Sequence, residues 1–411
     1  MKVLMFGWEF PPFKSGGLGT ACYDLTKGLS LLGHEITFVM PKAPEDAKSD
    51  FVKIIGTNNI HKKIKIKQIN SILMPYLTYD AYNEFYKKLQ IISETGKNNE
   101  VYGKDIYSEV QRFAQLAGII AELEDHDIIH VNDWMTYPAG MIARKVSKKP
   151  LIAHIHATEF DRTGGNPNTY ISHIEFEGLK NADLIIANSN FTKNNVIRYY
   201  NINPDKIKVV HWGIDPNNPD YNINFNSRIS ENDKIVLFMG RVTIQKGPDY
   251  FIEMAKKVLD YEPNTKFIFA GVGDMLPRII NRAVELGIEN KVIFTGWLTG
   301  KDVHKAFQMA DLFVMPSVAE PFGLVALESL KNGTPVIISK QSGVSEVIKN
   351  ALKVDFWDID EMTNKVVSVL RHPELYQELK ENSIKEVSKF NLIEPAQRCV
   401  DAYKEAMALA H

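Results

Sequence analysis

Cysteine is nearly missing from these 411 residues, with only Cys22 and Cys399 present. No framework of several disulfides can staple such a chain, which excludes a small disulfide-built scaffold and fits a reducing compartment. No apolar run approaches the roughly 18 residues that a membrane span needs. The first residues, Met1 to Phe10, lack a charged n-region followed by a cleavable apolar stretch. A soluble, cytoplasmic protein with no membrane span is therefore expected. Neither sign of charge dominates: 48 Lys and Arg stand against 50 Asp and Glu, a formal net charge of -2. There is no bulk basic field to hold nucleic acid or an anionic membrane, so any polyanion must be bound locally. Gly (25) and Pro (19) are not in excess, and 45% of residues are apolar, which excludes collagen-like and disordered chains.

What the chain does have is length and rhythm. At one domain per ~150 residues, it is long enough for two or three domains with a large core. Short strand-like runs alternate with longer helical patterns: Lys2 to Phe6, a helix from about Gly17 to Leu32, then Ile36 to Met40. The second half repeats the pattern with Ile235 to Met239, the helical spacing of Pro248 to Tyr261, and Lys266 to Ala270. Val292 to Thr295, Leu312 to Met315 and Val336 to Ser339 follow. Strands separated by helices require crossovers, so each half is expected to be a doubly wound parallel α/β domain. The segment 213–233, rich in Asn, Pro and Asp, is the best boundary. The expected division is 1–213, a linker over 214–233, and 234–394, with a last helix over 395–411 that could return to the first domain. In the basic run His61 to Ile69, lysines alternate with isoleucines, as on a half-exposed edge strand.

In open parallel sheets, ligands bind beyond the carboxyl ends of the strands. The residues there are polar. Lys14-Ser15-Gly16-Gly17-Leu18-Gly19 opens a helix, where backbone N–H groups and the dipole favour an anion, although an ordinary Gly-rich turn reads equally well. It is not the dinucleotide pattern, and Gly240 to Gly247 is not a P-loop, since Gly247 stands where Ser or Thr belongs. Arg241 and Lys246 nevertheless share one strand-to-helix loop, a fork-shaped cation beside a compact one, suited to a diphosphate. Glu320 follows a buried strand, and Gly323 can begin a helix. Glu328 falls in a helix that is apolar nearly all round, so that helix is expected to be buried, and a buried carboxylate needs partners. His154 and His156 lie on one side of a strand and with Asp133 could ligate a metal, but a hydrogen-bonding role is preferred. Asp358 and Asp360 open a helical pattern, where capping explains them.

Together these residues resemble a retaining glycosyltransferase of the glycogen and starch synthase group. The similarity rests on Lys14-Ser15-Gly16-Gly17-Leu18, on His130-Val131-Asn132-Asp133-Trp134, on Gly240-Arg241 with Lys246-Gly247, and on Glu320 followed eight residues later by Glu328. The resemblance implies the GT-B architecture, two facing Rossmann-like domains with a cleft between them. It implies that Arg241 and Lys246 bind the donor diphosphate, that Glu320 holds donor-sugar hydroxyls and that Glu328 holds the ribose diol. The backbone at Phe322, Gly323 and Leu324 would meet sugar and phosphate. Lys14, Gly16 and Gly17 would approach the donor phosphates, while Asp133 and His156 would touch the transferred sugar.

Three departures stand out. Phe322 replaces the group's usual Cys, as in sucrose- and trehalose-forming relatives; Asn132 replaces a common His; and Trp212 stands where Asn is frequent. The reading is transfer of glucose, with retention, from ADP- or UDP-glucose to the nonreducing end of an α-1,4-glucan, without metal or other cofactor. The alternative is a retaining transferase with a small acceptor, making sucrose, trehalose or a glycolipid. A nucleotide-sugar epimerase and a noncatalytic glucan-binding protein are further from the residues.

Overall fold

The computed structural model describes residues 1–11, 17–43, 49–57, 106–215, 217, 218, 221, 225 and 233–410. The basic run at 61–69, Lys14, Gly16 and most of 214–233 lie outside them. The described chain is α/β, built on two sheets with helices between most successive strands. The first sheet contains β1 (Lys2–Phe6), β2 (Glu35–Met40), β3 (Lys53–Gly56), β4 (Ile128–Asn132), β5 (Leu151–Ile155), β6 (Leu184–Ala187) and β7 (Ile207–Val209), in the order β3-β2-β1-β4-β5-β6-β7. The second contains β8 (Lys234–Met239), β9 (Thr265–Ala270), β10 (Val292–Gly296), β11 (Leu312–Met315), β12 (Val336–Ser339) and β13 (Leu352–Val354), in the order β10-β9-β8-β11-β12-β13. Pairing is parallel in both, for example β1 with β2 and β4, and β8 with β9 and β11.

Strands covered on both faces read as continuous apolar runs, and β11 (Leu-Phe-Val-Met) and β12 (Val-Ile-Ile-Ser) are buried at every residue. The helix Pro248–Leu259 starts at a proline, whose missing N–H is no loss in the first turn. It buries Phe251, Ile252, Met254, Ala255 and Val258, and Phe251 meets Phe238 and Phe269 at ring-centroid distances of 5.5 and 4.9 Å. Burying one such ring is worth about 2–3 kcal/mol, so this cluster anchors the loop that precedes the helix.

Each sheet reverses its strand order next to its first strand, between β1 and β4 and between β8 and β11. Such a switch point splays the loops on either side and leaves room for a ligand. The segments after β4, β8 and β11 are among those singled out from the sequence. The chain divides into two compact units, one made of Met1–His154, Glu177–Leu184 and Val400–His411, the other of Ile155–Phe176 and Ile185–Cys399. Among the described residues no helix is long and apolar enough to cross a membrane.

Candidate functional site

After β8 the chain turns at Gly240 (φ 147°) and forms a 3-10 turn over Ile244–Lys246. It then enters the helix at Pro248 through Gly247 (φ 67°). Only glycine adopts such angles without strain, and Gly247 has a second reason to lack a side chain. A Cβ there would stand 2.0 Å from the Pro316 carbonyl oxygen, so the loops after β8 and β11 touch backbone to backbone. Gln245, buried, fastens them: its carbonyl accepts from Val318 N–H at 2.9 Å, and its side-chain oxygen accepts from Arg241 Nη2 at 3.3 Å. Arg241 itself is exposed.

This loop contact brings Lys246 to Glu320. Lys246 Nζ donates to Glu320 Oε2 at 2.6 Å, and Ser317 Oγ donates to the same oxygen at 3.1 Å. Glu320 is only 5% exposed, and a carboxylate so buried requires partners of this kind. Its backbone is held as firmly, since Glu320 N–H donates to Gln341 O and Glu320 O accepts from Gly343 N–H, both at 2.9 Å. Phe322 O accepts from Val344 N–H at 2.7 Å, and Gly323 (φ 106°) opens the helix Leu324–Lys331.

Arg241, Lys246, Glu320, Phe322, Gly323 and Leu324 therefore belong to one pair of loops. Glu328 sits on the helix they begin, with one correction. Ala326, Leu327, Ser329 and Leu330 are buried, whereas Glu328 is only half-buried. The helix packs one broad side, and Glu328, lying between the angular positions of Leu324 and Val325, shares their partly exposed sector.

The same compact unit holds His156, just past β5. Its imidazole stacks on Trp212 (centroids 5.3 Å, rings 20° apart), and its carbonyl accepts from Asn188 Nδ2 at 2.9 Å. Trp212, a departure from the sequence pattern, thus has a packing role. Burial, helped by the Arg162 charge, pushes the His156 pKa down to about 3. Arg162 is itself fixed by Glu175 at 2.8 Å. His154, on β5, is engaged by another ring, its Nδ1 lying 3.2 Å from His130 Nε2.

In the other unit, Asp133 follows β4 at φ 60°, a left-handed conformation that is uncommon outside glycine and concentrates at functional sites. It is 6% exposed, and its N–H donates to His154 O at 2.9 Å. Gly17 begins the helix Gly17–Leu31 and is exposed, and no described atom lies within 4 Å of where its Cβ would stand. Packing among the described residues therefore does not demand glycine there.

Sequence reasoning missed Gln245, Ser317 and Glu346. The last ends the turn Gly343–Glu346 after β12, and its carboxylate accepts from Asn190 N, Asn190 Nδ2, Phe191 N and His211 Nε2 at 2.7–2.9 Å. Burial alone would raise its pKa, but these donors hold it below the ordinary value. A polar residue just past a parallel strand was the available signal. Among the described residues no three His, Cys, Asp or Glu side chains are gathered as a metal-ligand set.

Comparison with known proteins agrees with the fold. The family described as Glycosyl transferases group 1 matches residues 220–386, and that described as Glycosyltransferase Family 4 matches 15–218. An uncharacterised glycosyltransferase of Methanocaldococcus jannaschii is 30% identical over 100% of this chain and 99% of its own. A glycogen synthase of Mycobacterium tuberculosis is 24% identical over 85% of this chain and 80% of its own. Among solved structures, sucrose-phosphate synthase from Thermosynechococcus elongatus superimposes with a TM-score of 0.76 at 18% identity, covering 99% of both chains. Anabaena HepE, in complex with UDP-glucose, does so with a TM-score of 0.66 at 18% identity, over 98% of this chain and 100% of its own.

Proposed function

The chain belongs to the group 1 glycosyltransferases, and from that premise we propose that it moves glucose, with retention, from ADP- or UDP-glucose to the nonreducing 4-hydroxyl of an α-1,4-glucan. The observation that carries the reading is the Lys246–Glu320 contact of 2.6 Å at the switch point of the second sheet. A nucleotide-sugar transferase needs a cation for the leaving diphosphate and a carboxylate for sugar hydroxyls, and here the two are held side by side. The UDP-glucose complex of the similar Anabaena protein supports a nucleotide-sugar donor, and the glycogen synthase relative supports a glucan acceptor.

In this reading Arg241 and Lys246 take the diphosphate, and the backbone that opens the helix at Gly323 and Leu324 offers N–H groups to the charge developing on it. Glu320 orients the donor sugar, Glu328 the ribose, and Phe322 lines the site between them. Lys14, Gly16 and Gly17 serve the donor phosphates, and Asp133 and His156 the transferred sugar. Departure of the nucleoside diphosphate leaves an oxocarbenium-like sugar, which the acceptor hydroxyl attacks on the same face. The leaving phosphate takes the hydroxyl proton. Fixed cations and dipoles carry the leaving group's charge in place of a metal ion, since either can do so.

A second reading has its own support. The sucrose-phosphate synthase superposition spans nearly the whole chain, and Phe322 resembles the choice of sucrose- and trehalose-forming transferases, so a small or glycolipid acceptor is the alternative. A donor-by-acceptor screen separates them. Lengthened maltooligosaccharide is the expected product, and transfer only to a monosaccharide or a lipid-linked sugar would replace the first reading with the second.

A further inference from the structure

Three rings in the first compact unit form a buried file. The Tyr403 hydroxyl lies 2.7 Å from His130 Nδ1, and His130 Nε2 lies 3.2 Å from His154 Nδ1. All three residues are essentially inaccessible to solvent. Tyr403 sits on the helix Ile393–Leu409, His130 on β4 and His154 on β5. With both imidazoles neutral the two bonds can run either way: the phenol donates to His130 Nδ1 and His130 Nε2–H to His154 Nδ1, or His154 Nδ1–H donates to His130 Nε2 and His130 Nδ1–H to the phenol oxygen. Neutral buried hydrogen bonds of this kind rigidify their surroundings, and losing one member leaves a buried group unpaired.

What the file leads to is the strained turn at Asp133. The His154 carbonyl accepts two bonds, from Asp133 N–H at 2.9 Å and from the Tyr137 hydroxyl at 3.2 Å. Thr136 closes the turn, its N–H donating to Asp133 O at 3.0 Å and its hydroxyl donating to Asn132 O at 2.9 Å. A residue at φ 60° persists only where its surroundings over-determine it. His154 is one such determinant, fixed by its ring on one side and gripping Asp133 by its carbonyl on the other.

We infer that Tyr403 and His130 are positioning residues for Asp133, so that the C-terminal helix sets the geometry of the turn through His154. The inference rests on the reading that places Asp133 at the transferred sugar. It makes the helix part of the transfer machinery without contact to substrate: it acts on turnover more than on donor binding, most of whose contacts come from the loops after β8 and β11.

The test compares four variants on the full chain, with donor KM, kcat and thermal midpoint measured for each. Tyr403→Phe deletes one hydroxyl and keeps the ring. It should lower kcat about 3- to 10-fold, the scale of one buried hydrogen bond, with donor KM within about twofold. His130→Gln keeps a polar group near the Nε2 position that faces His154, whereas His130→Asn keeps one near Nδ1 and abandons His154. Gln should therefore retain the higher kcat, an order that loss of packing alone would not produce at equal thermal midpoints. Asp133→Asn separates the two layers of the argument. If it lowers kcat while Tyr403→Phe turns over like wild type, the positioning role is wrong and the reading of Asp133 stands. If Asp133→Asn itself has wild-type kcat, the reading beneath the inference is wrong. Should Tyr403→Phe fail to fold, the order of the His130 pair decides: Asn equal to or above Gln overturns the inference.

Discussion

Lys246 is where the charge argument is most exposed to test. Its ammonium sits 2.6 Å from Glu320, and removing one preorganised cation from a site that stabilises a departing diphosphate costs about 100-fold or more in rate. Lys246→Ala should lower kcat/KM by at least ~100-fold, and the wild-type enzyme should keep full activity in EDTA. Steady-state kinetics with and without the chelator check both. Activity abolished by EDTA and restored by Mg²⁺, Mn²⁺ or Zn²⁺ would overturn the charge assignment. His156 supplies a pH prediction. Burial and the Arg162 charge lower its pKa from 6.5 to about 3, so the imidazole is neutral at physiological pH and can hydrogen-bond a sugar without titrating. Between those two values the unfolded chain binds the extra proton, so this residue's contribution to stability is whole above pH 6.5 and falls as the pH falls. Asp161, pushed up to about 6 by burial, works in the opposite sense. In thermal melts from pH 4 to 7, His156→Gln should therefore lose less stability on acidification than wild type. Equal slopes would contradict the burial account.

At the scale of elements, the sequence was most legible where burial is continuous. β1, β11 and β12 fall where the apolar runs place them, and the helix Pro248–Leu259 where its periodicity places it. The short β13 (Leu352–Val354) was not legible, because three residues carry no period. Residue-level polarity after each strand located Glu320 and Lys246, but a one-dimensional pattern could not show that Gln245 and Ser317 hold them, since those contacts cross between loops. Glu328 erred for a related reason: an apolar composition indicates that a helix is buried without saying which sector faces out. Gly247 gives the loop architecture its own test. Its φ of 67° and the 2.0 Å approach of a would-be Cβ to Pro316 O leave no room for a side chain. Gly247→Ala should destabilise the protein by about 2 kcal/mol or more, or force the two loops apart. Chemical denaturation together with donor affinity reads the effect, and a variant with wild-type stability and affinity would show that the loops do not meet as described.

At the scale of the whole molecule, the alternation of strands and helices foretold two parallel sheets, and both are present with their order reversed beside the first strand. Architecture carried the fold, and the motifs carried the family. The acceptor was less legible, because the polar residues that mark the strand ends were read as contacts to the donor. A donor-side signature says which bond breaks and leaves open which hydroxyl attacks. The most direct measurement is product analysis after incubating the protein with ADP- or UDP-glucose and a maltooligosaccharide of defined length. Release of nucleoside diphosphate matched by a ladder of chains, each longer by one α-1,4-linked glucose, is the predicted result. Unchanged oligosaccharide alongside efficient transfer to a small or lipid-linked acceptor would contradict it.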